Sequence, residues 1–297
     1  MTDSLAKTSA GHHTYCMSDN ILSPTNDWIF KLLFGDERNK STLIDLLKSF
    51  VQLPEEEYEL VYLDTHLKRE YDDDKFGILD VKVKTKTGQI VHIEIQVEPM
   101  PDMAKRLSFY KSKLITSQIN KGDSYEKIQP VICVCITSKP MFPEVMEYLN
   151  RFFFYNPANG LRFRNIPEEI YTLELSKLPQ SSDGSTLWEW MKFLTSKTKE
   201  EFEMIAKGNP EIRKATDILY ELSQDEKVRA EYEAREKAWR DRISAIDAGV
   251  RRGREEGWQG GRKEREVEVA RNAIAKGFTL EQVCDITGLD TETLAKL

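Results

Sequence analysis

Residues 77–98 read GILDVKVKTKTGQIVHIEIQVE, and this stretch decides the fold. Two runs rich in Val and Ile alternate apolar and polar residues at period two, and Lys86-Thr87-Gly88-Gln89 between them supplies turn chemistry, so the stretch is a β-hairpin. Alternation sorts Leu79, Val81, Val83, Val91, Ile93, Ile95 and Val97 onto one face and Asp80, Lys82, Lys84, His92, Glu94 and Gln96 onto the other. The first face is expected to be core and the second to carry chemistry. A turn centred near Thr87 and Gly88 sets Asp80 opposite or diagonal to Glu94. Two carboxylates so placed repel each other and call for a cation. Carboxylate oxygens suit a hard divalent ion, Mg²⁺ being the usual occupant where the substrate brings phosphate oxygens, with Mn²⁺ or Ca²⁺ as alternatives.

Working outward, Ser23-Pro24 or Thr25 can cap a helix with the apolar stripe Trp28, Ile29, Leu32 and Leu33, and a second helix follows over residues 40–50. Asp27 and Lys31 lie one turn apart on the first helix, either as a surface pair or as groups that reach the hairpin's polar face. Residues 59–69 read as the first strand. The acidic run Tyr71-Asp72-Asp73-Asp74 reads as a solvated turn rather than a metal loop, because neighbours on an extended chain point in different directions.

After the hairpin, Pro99 and Pro101 end the strand and Asp102 opens a helix expected to run to about Lys121, with Gly122 as its C-cap. Arg106, Tyr110 and Lys113 share one face of it; turned toward Asp80 and Glu94, Arg106 could hold a phosphate and Tyr110 position it. Residues 130–137, PVICVCIT, are a buried central strand. Residues 142–165 look aromatic and irregular, and residues 170–175 add a further strand. The element order is therefore αβββαβ, an α/β class, and a connection of about thirty residues between the third strand and the buried one is long enough for a crossover.

Asp80 followed by Glu94-Ile95-Gln96 resembles the PD-(D/E)XK nuclease superfamily, whose motif is an acid on one strand and acid-X-Lys on the next. Gln96 stands where that superfamily most often has lysine. The E-X-Q form, with TNDWIFKLLFG at residues 25–35 and the later R-x-x-x-Y helix, is similar to the Rpn-type recombination-promoting nucleases and transposases, a branch in which glutamine is ordinary. The likeness runs from about residue 22 to residue 178. It implies a restriction-endonuclease-like core that hydrolyses DNA with Mg²⁺: Asp80 and Glu94 bind the metal, the backbone carbonyl of Ile95 adds a ligand, and Gln96 orients the attacking water. Arg106, Tyr110, Lys31 and Asp27 are candidate phosphate or DNA contacts, and a link to recombination or element mobility comes from the resemblance alone.

The rest of the chain sets bounds. It has 297 residues, 40% of them hydrophobic, enough for one large domain or two smaller ones. There is no run of about 18 apolar residues and no secretory layout at the start, so no membrane partner is expected and the cytoplasm is the expected compartment. Cys16, Cys133, Cys135 and Cys284 fit neither a zinc knuckle nor a disulfide framework, and His12 and His13 have no partner at ligand spacing. Neither a G-x-S-x-G elbow nor a P-loop occurs. The net charge of −7 opposes overall attraction to DNA, so contact must come from a local patch, a metal or a second subunit.

Three regions are expected: a flexible lead over residues 1–21, the nuclease-like domain over 22–179, and, beyond the linker QSSDGS at 180–185, a helical extension over 186–297. Residues 225–276 read as a charged helix weakened by five glycines, stabilised in a homodimer or by another partner. The last segment resembles a helix-turn-helix whose acidic second helix suits docking or oligomerisation better than a DNA groove. The alternative to a nuclease is a DNA-binding or oligomeric module that keeps the fold without the chemistry.

Overall fold

The computed structural model describes residues 21–66, 80–97, 102–163 and 168–297. The Tyr71-to-Asp74 run, the end of the expected first strand, Leu79, Pro99, Pro101, His12, His13 and Cys16 lie outside these residues. Two compact units are present, Met1–Tyr232 and Glu233–Leu297.

The first unit is built on a six-stranded mixed sheet in the order β1-β2-β3-β4-β6-β5, comprising β1 (Val61–Tyr62), β2 (Val81–Lys84), β3 (Ile90–Gln96), β4 (Val131–Thr137), β5 (Leu149–Phe152) and β6 (Glu168–Glu174). The hairpin β2–β3 is antiparallel with Val81 opposite Ile93 and Lys82 opposite His92. Its turn is closed by the Gly88 amide on the Thr85 carbonyl at 3.0 Å, with Gly88 at φ +101°, where a residue with a Cβ is strained. Strand β4 lies parallel to both β3 and β6. The chain returns from β3 to β4 through α3 (Met103–Thr116), the crossover that a parallel pair requires.

Helix α1 (Asp27–Phe34) begins at Asn26, whose side chain accepts from the Trp28 and Ile29 amides, one residue beyond the expected cap. It packs with α2 (Lys40–Lys48) on the sheet face formed by Val81, Val83, Val91, Ile93, Ile95, Val134 and Ile136. Helices α4 (Thr186–Thr195), α5 (Lys199–Ile205) and α6 (Pro210–Gln224), which follow the linker, belong to the same core: Trp190 is fully buried, meets Phe34 edge-on at 5.6 Å and donates its indole N–H to Asp45 at 2.8 Å. The second unit carries most of α7 (Glu226–Ala275) with α8 (Leu280–Thr287) and α9 (Thr291–Leu294). There Ala270, Ala273, Val283 and Leu294 form a small core, while Leu280 and Ile286 stay exposed.

On the hairpin's other face His92 and Glu94 are buried under α3, where Tyr110 meets His92 and Arg106 holds Glu94, so β3 has protein on both faces. Two expectations are corrected. Helix α3 stops at Thr116, capped at Ser117, because the Thr116 and Ser117 hydroxyls bond back to carbonyls of the preceding turn and compete with continuation; Gly122 sits in the loop beyond. Residues 142–165 are not irregular throughout. They contain β5, an edge strand whose side chains do not alternate between buried and exposed, which removes the period-two signal. Among the described residues, no helix is long and apolar enough to cross a membrane.

Candidate functional site

The register of the hairpin continues one step past β2 to set Asp80 across from Glu94. Asp80 Oδ2 accepts the Ile95 amide at 2.8 Å, which fixes the carboxylate against the end of β3. On an extended strand a residue's N–H and C=O leave by the same edge, so the Ile95 carbonyl points toward the Asp80 side, while the Gln96 carbonyl accepts Ser138 on the β4 side. Burial, then the facing Glu94 carboxylate, push the Asp80 carboxyl up to about 7; the Ile95 amide and Arg106 oppose this, and Asp27 adds to it.

Glu94 is 2% exposed, and one of its oxygens is held by the Arg106 guanidinium. Its other oxygen, Oε2, has no hydrogen-bond partner among the described residues; His92 Nε2 lies 3.3 Å away but is not aligned to bond it. Arg106 also donates to the Gln96 amide oxygen at 3.3 Å and to the Tyr110 hydroxyl at 2.9 Å. These partners come from β3 and from one face of α3.

Among the expected residues, then, Asp80, Glu94, Ile95, Gln96, Arg106 and Tyr110 converge. Asp27 is near enough to act on Asp80 through its charge, whereas Lys31 turns to Thr65, donating at 3.3 Å. Sequence reasoning placed His92 on this face and gave it no role. The fully buried imidazole stacks edge-on against Tyr110 at 5.9 Å, and its position two residues before Glu94 on a strand was the available signal. Glu174 was missed altogether. It ends β6 in the row Gln96, Thr137, Glu174, and holds Lys177 at 2.7 Å and the Met141 amide at 3.0 Å.

An unsatisfied carboxylate oxygen, a facing carboxyl whose ionisation is resisted by burial and by negative neighbours, and a carbonyl leaving by the same edge form an oxygen donor set of the kind that suits a hard cation. Among the described residues no group of three or more His, Cys, Asp or Glu side chains is placed to hold a metal ion. Cys133 and Cys135 are buried thiols outside any disulfide on the α3 side of β4, and burial raises the Cys135 thiol.

The model of the PD-(D/E)XK nuclease family transposases matches residues 24–249, well over half of the chain. The protein belongs to this family. Neither a comparison with curated proteins nor one with solved structures gives a match. Family membership is consistent with the mixed sheet and its crossover helix as a PD-(D/E)XK-like core.

Proposed function

We propose that this family member is a metal-dependent DNA endonuclease that hydrolyses phosphodiester bonds, in the service of recombination or element mobility. The observation that carries the reading is the pair Asp80 and Glu94, facing each other across the hairpin end with the Ile95 amide on Asp80. Asp80, Glu94 and the Ile95 carbonyl would hold Mg²⁺, which when bound supplies charge neutralisation and an acidified water.

The chain's own groups do the rest. Gln96, an amide without charge, can only orient a water by hydrogen bonds, so the positive charge that lysine gives to related sites comes instead from Arg106, which bonds Gln96 and Glu94 together. A guanidinium in that place can transfer from Glu94 to a phosphate oxygen, where its planar fork matches the charge developing on phosphorus. Tyr110 accepts from Arg106 and keeps the fork aimed along the strand ends.

The test is nicking and linearisation of supercoiled plasmid in Mg²⁺, Mn²⁺, Ca²⁺ or EDTA by wild type, Asp80→Asn and Glu94→Gln, with circular dichroism to confirm folding. Cutting that needs the metal and drops by about 100-fold or more in both variants is expected. Cutting retained by a folded Asp80→Asn protein would sink the assignment. One observation favours a second reading, a binding module without chemistry: Arg106 already gives Glu94 an internal counter-charge. That module would retain DNA without cleaving it and would ignore substitution of Asp80.

A further inference from the structure

The segment 149–164, LNRFFFYNPANGLRFR, holds five aromatic residues and three arginines and no acid, within a chain of net charge −7. Its residues 153–163 leave β5 as a two-stranded extension of the sheet edge. The Phe163 amide donates to the Phe154 carbonyl at 2.9 Å, Tyr155 bridges Arg162, and the Asn156 amide donates to the Leu161 carbonyl at 2.8 Å. The turn is set by the Asn156 side chain accepting the Ala158 amide and by Gly160 at φ +71°. Alternation on this ribbon puts Phe154, Leu161 and Phe163 on one face and Phe153, Tyr155 and Arg162 on the other. Both faces are open: Phe153 is 42% exposed, Phe154 54%, Tyr155 59% and Phe163 67%. Rings stranded on two faces of a thin ribbon are no one's core, and an apolar patch of this kind marks a contact surface.

Its chemistry points to one occupant. The Arg162 guanidinium lies over the Phe153 ring at 4.4 Å and the Lys111 ammonium lies 5.7 Å from the Phe154 ring centre. Glu169 serves both Arg151, at 2.8 Å, and Arg162, at 3.0 Å, so two guanidiniums share one carboxylate and a positive charge is left over. Phe152, Phe153 and Phe154 with Ser108, Lys111 and Glu169 line a cavity of about 260 Å³. Open ring faces beside cations are the means by which proteins hold unstacked bases and their phosphates. Duplex DNA hides its base faces and would leave these rings unused. The cavity also abuts α3, and Lys111 follows Arg106 by five residues, about 7.5 Å along the helix axis.

We propose that this hairpin is a stacking platform for unpaired DNA, so that the strand presented to Asp80 and Glu94 is single-stranded or locally melted. The proposal rests on the endonuclease reading for its biological sense, but binding is measurable without cutting. It also accounts for how an acidic protein engages a polyanion, through one small basic and aromatic patch.

The experiment is fluorescence anisotropy in EDTA with a labelled 20-nucleotide oligo(dT), a matched oligo(U) and a 20-base-pair duplex, using full-length wild type, Phe153→Ala/Phe163→Ala and Arg162→Ala, with sedimentation to give the mass of each. Wild type is expected to bind oligo(dT) more tightly than duplex. The double aromatic variant should bind it at least about tenfold more weakly, and Arg162→Ala should weaken it measurably. Equal binding by the aromatic variant, a preference for duplex or RNA, or a fall in assembly mass with unchanged DNA binding, which would make a second copy the occupant, overturns the proposal. Plasmid cutting is scored separately: if nothing is cut yet oligo(dT) still needs Phe153 and Phe163, the endonuclease reading fails and the platform stands.

Discussion

Asp80 carries two demands that oppose each other. It must be ionised to hold a cation, yet burial and Glu94 raise it to about 7. A carboxyl raised from 3.8 in this way binds its proton more tightly in the folded state, so the stability it contributes is complete below about pH 4 and is lost as pH climbs toward 7. Asp80→Asn keeps an acceptor for the Ile95 amide and removes the titration. In EDTA, urea denaturation should therefore show the variant gaining on wild type between pH 4 and pH 8. Because part of the Asp80 side chain keeps contact with water, the expected gain is about 1–3 kcal/mol, less than the roughly 4 kcal/mol that about three tenfold steps in proton affinity at about 1.4 kcal/mol each would give. Mg²⁺ at pH 8 should stabilise wild type and not the variant, since only an ionised carboxylate rewards its binding. A wild-type-to-variant gap that stays flat with pH would mean that Asp80 does not sit in a desolvated, negative pocket. Gln96 shows the same logic from the neutral side: its amide oxygen accepts from Arg106 at 3.3 Å, which a lysine in that position could not do.

At the scale of elements, what was legible followed from strict periodicity. The β2–β3 alternation and the Lys86-to-Gln89 turn residues made the hairpin legible with Asp80 opposite or diagonal to Glu94, which the register resolves as opposite, and the apolar run of β4 announced a strand covered on both sides. What was not legible depended on tertiary partners. The burial of His92 and Glu94 needs α3 to lie over them, and β5 has no alternation because its neighbour β6, not its own pattern, makes it a strand. Helix α7 was readable through its charges in spite of its glycines. A Cβ on Gly249, Gly253 or Gly257 would meet open space in this chain. Alanine at all three should therefore stabilise α7 by about 0.5–1 kcal/mol per site, seen as a higher helical melting transition. Destabilisation together with a loss of assembly mass would show instead that a second copy approaches along that glycine row, as the expected homodimer requires.

For the whole molecule the governing quantity is charge. A protein of net charge −7 repels DNA at long range, so its affinity has to arise from few cations and from contacts that salt does not screen. The cations placed along the proposed strand path are Arg106, Arg151 and Arg162, with Glu94 engaging the first and Glu169 the other two, while Lys111 is buried beside the Phe154 ring. With about 0.7 counterions released per phosphate contact on a single strand, two to three contacts give a slope of log affinity against log salt of only about −1.5 to −2. Stacking on Phe153, Phe154, Tyr155 and Phe163 is not ionic, so it should persist as salt rises. Titrating oligo(dT) binding from low to moderate NaCl should therefore give a shallow line, and Phe153→Ala/Phe163→Ala should lower that line without changing its slope, whereas Arg162→Ala should flatten it by a little under one. A slope steeper than about −5 would require more phosphate contacts than these two surfaces hold, and would move the DNA-binding surface to the interleaved arginines and lysines of α7.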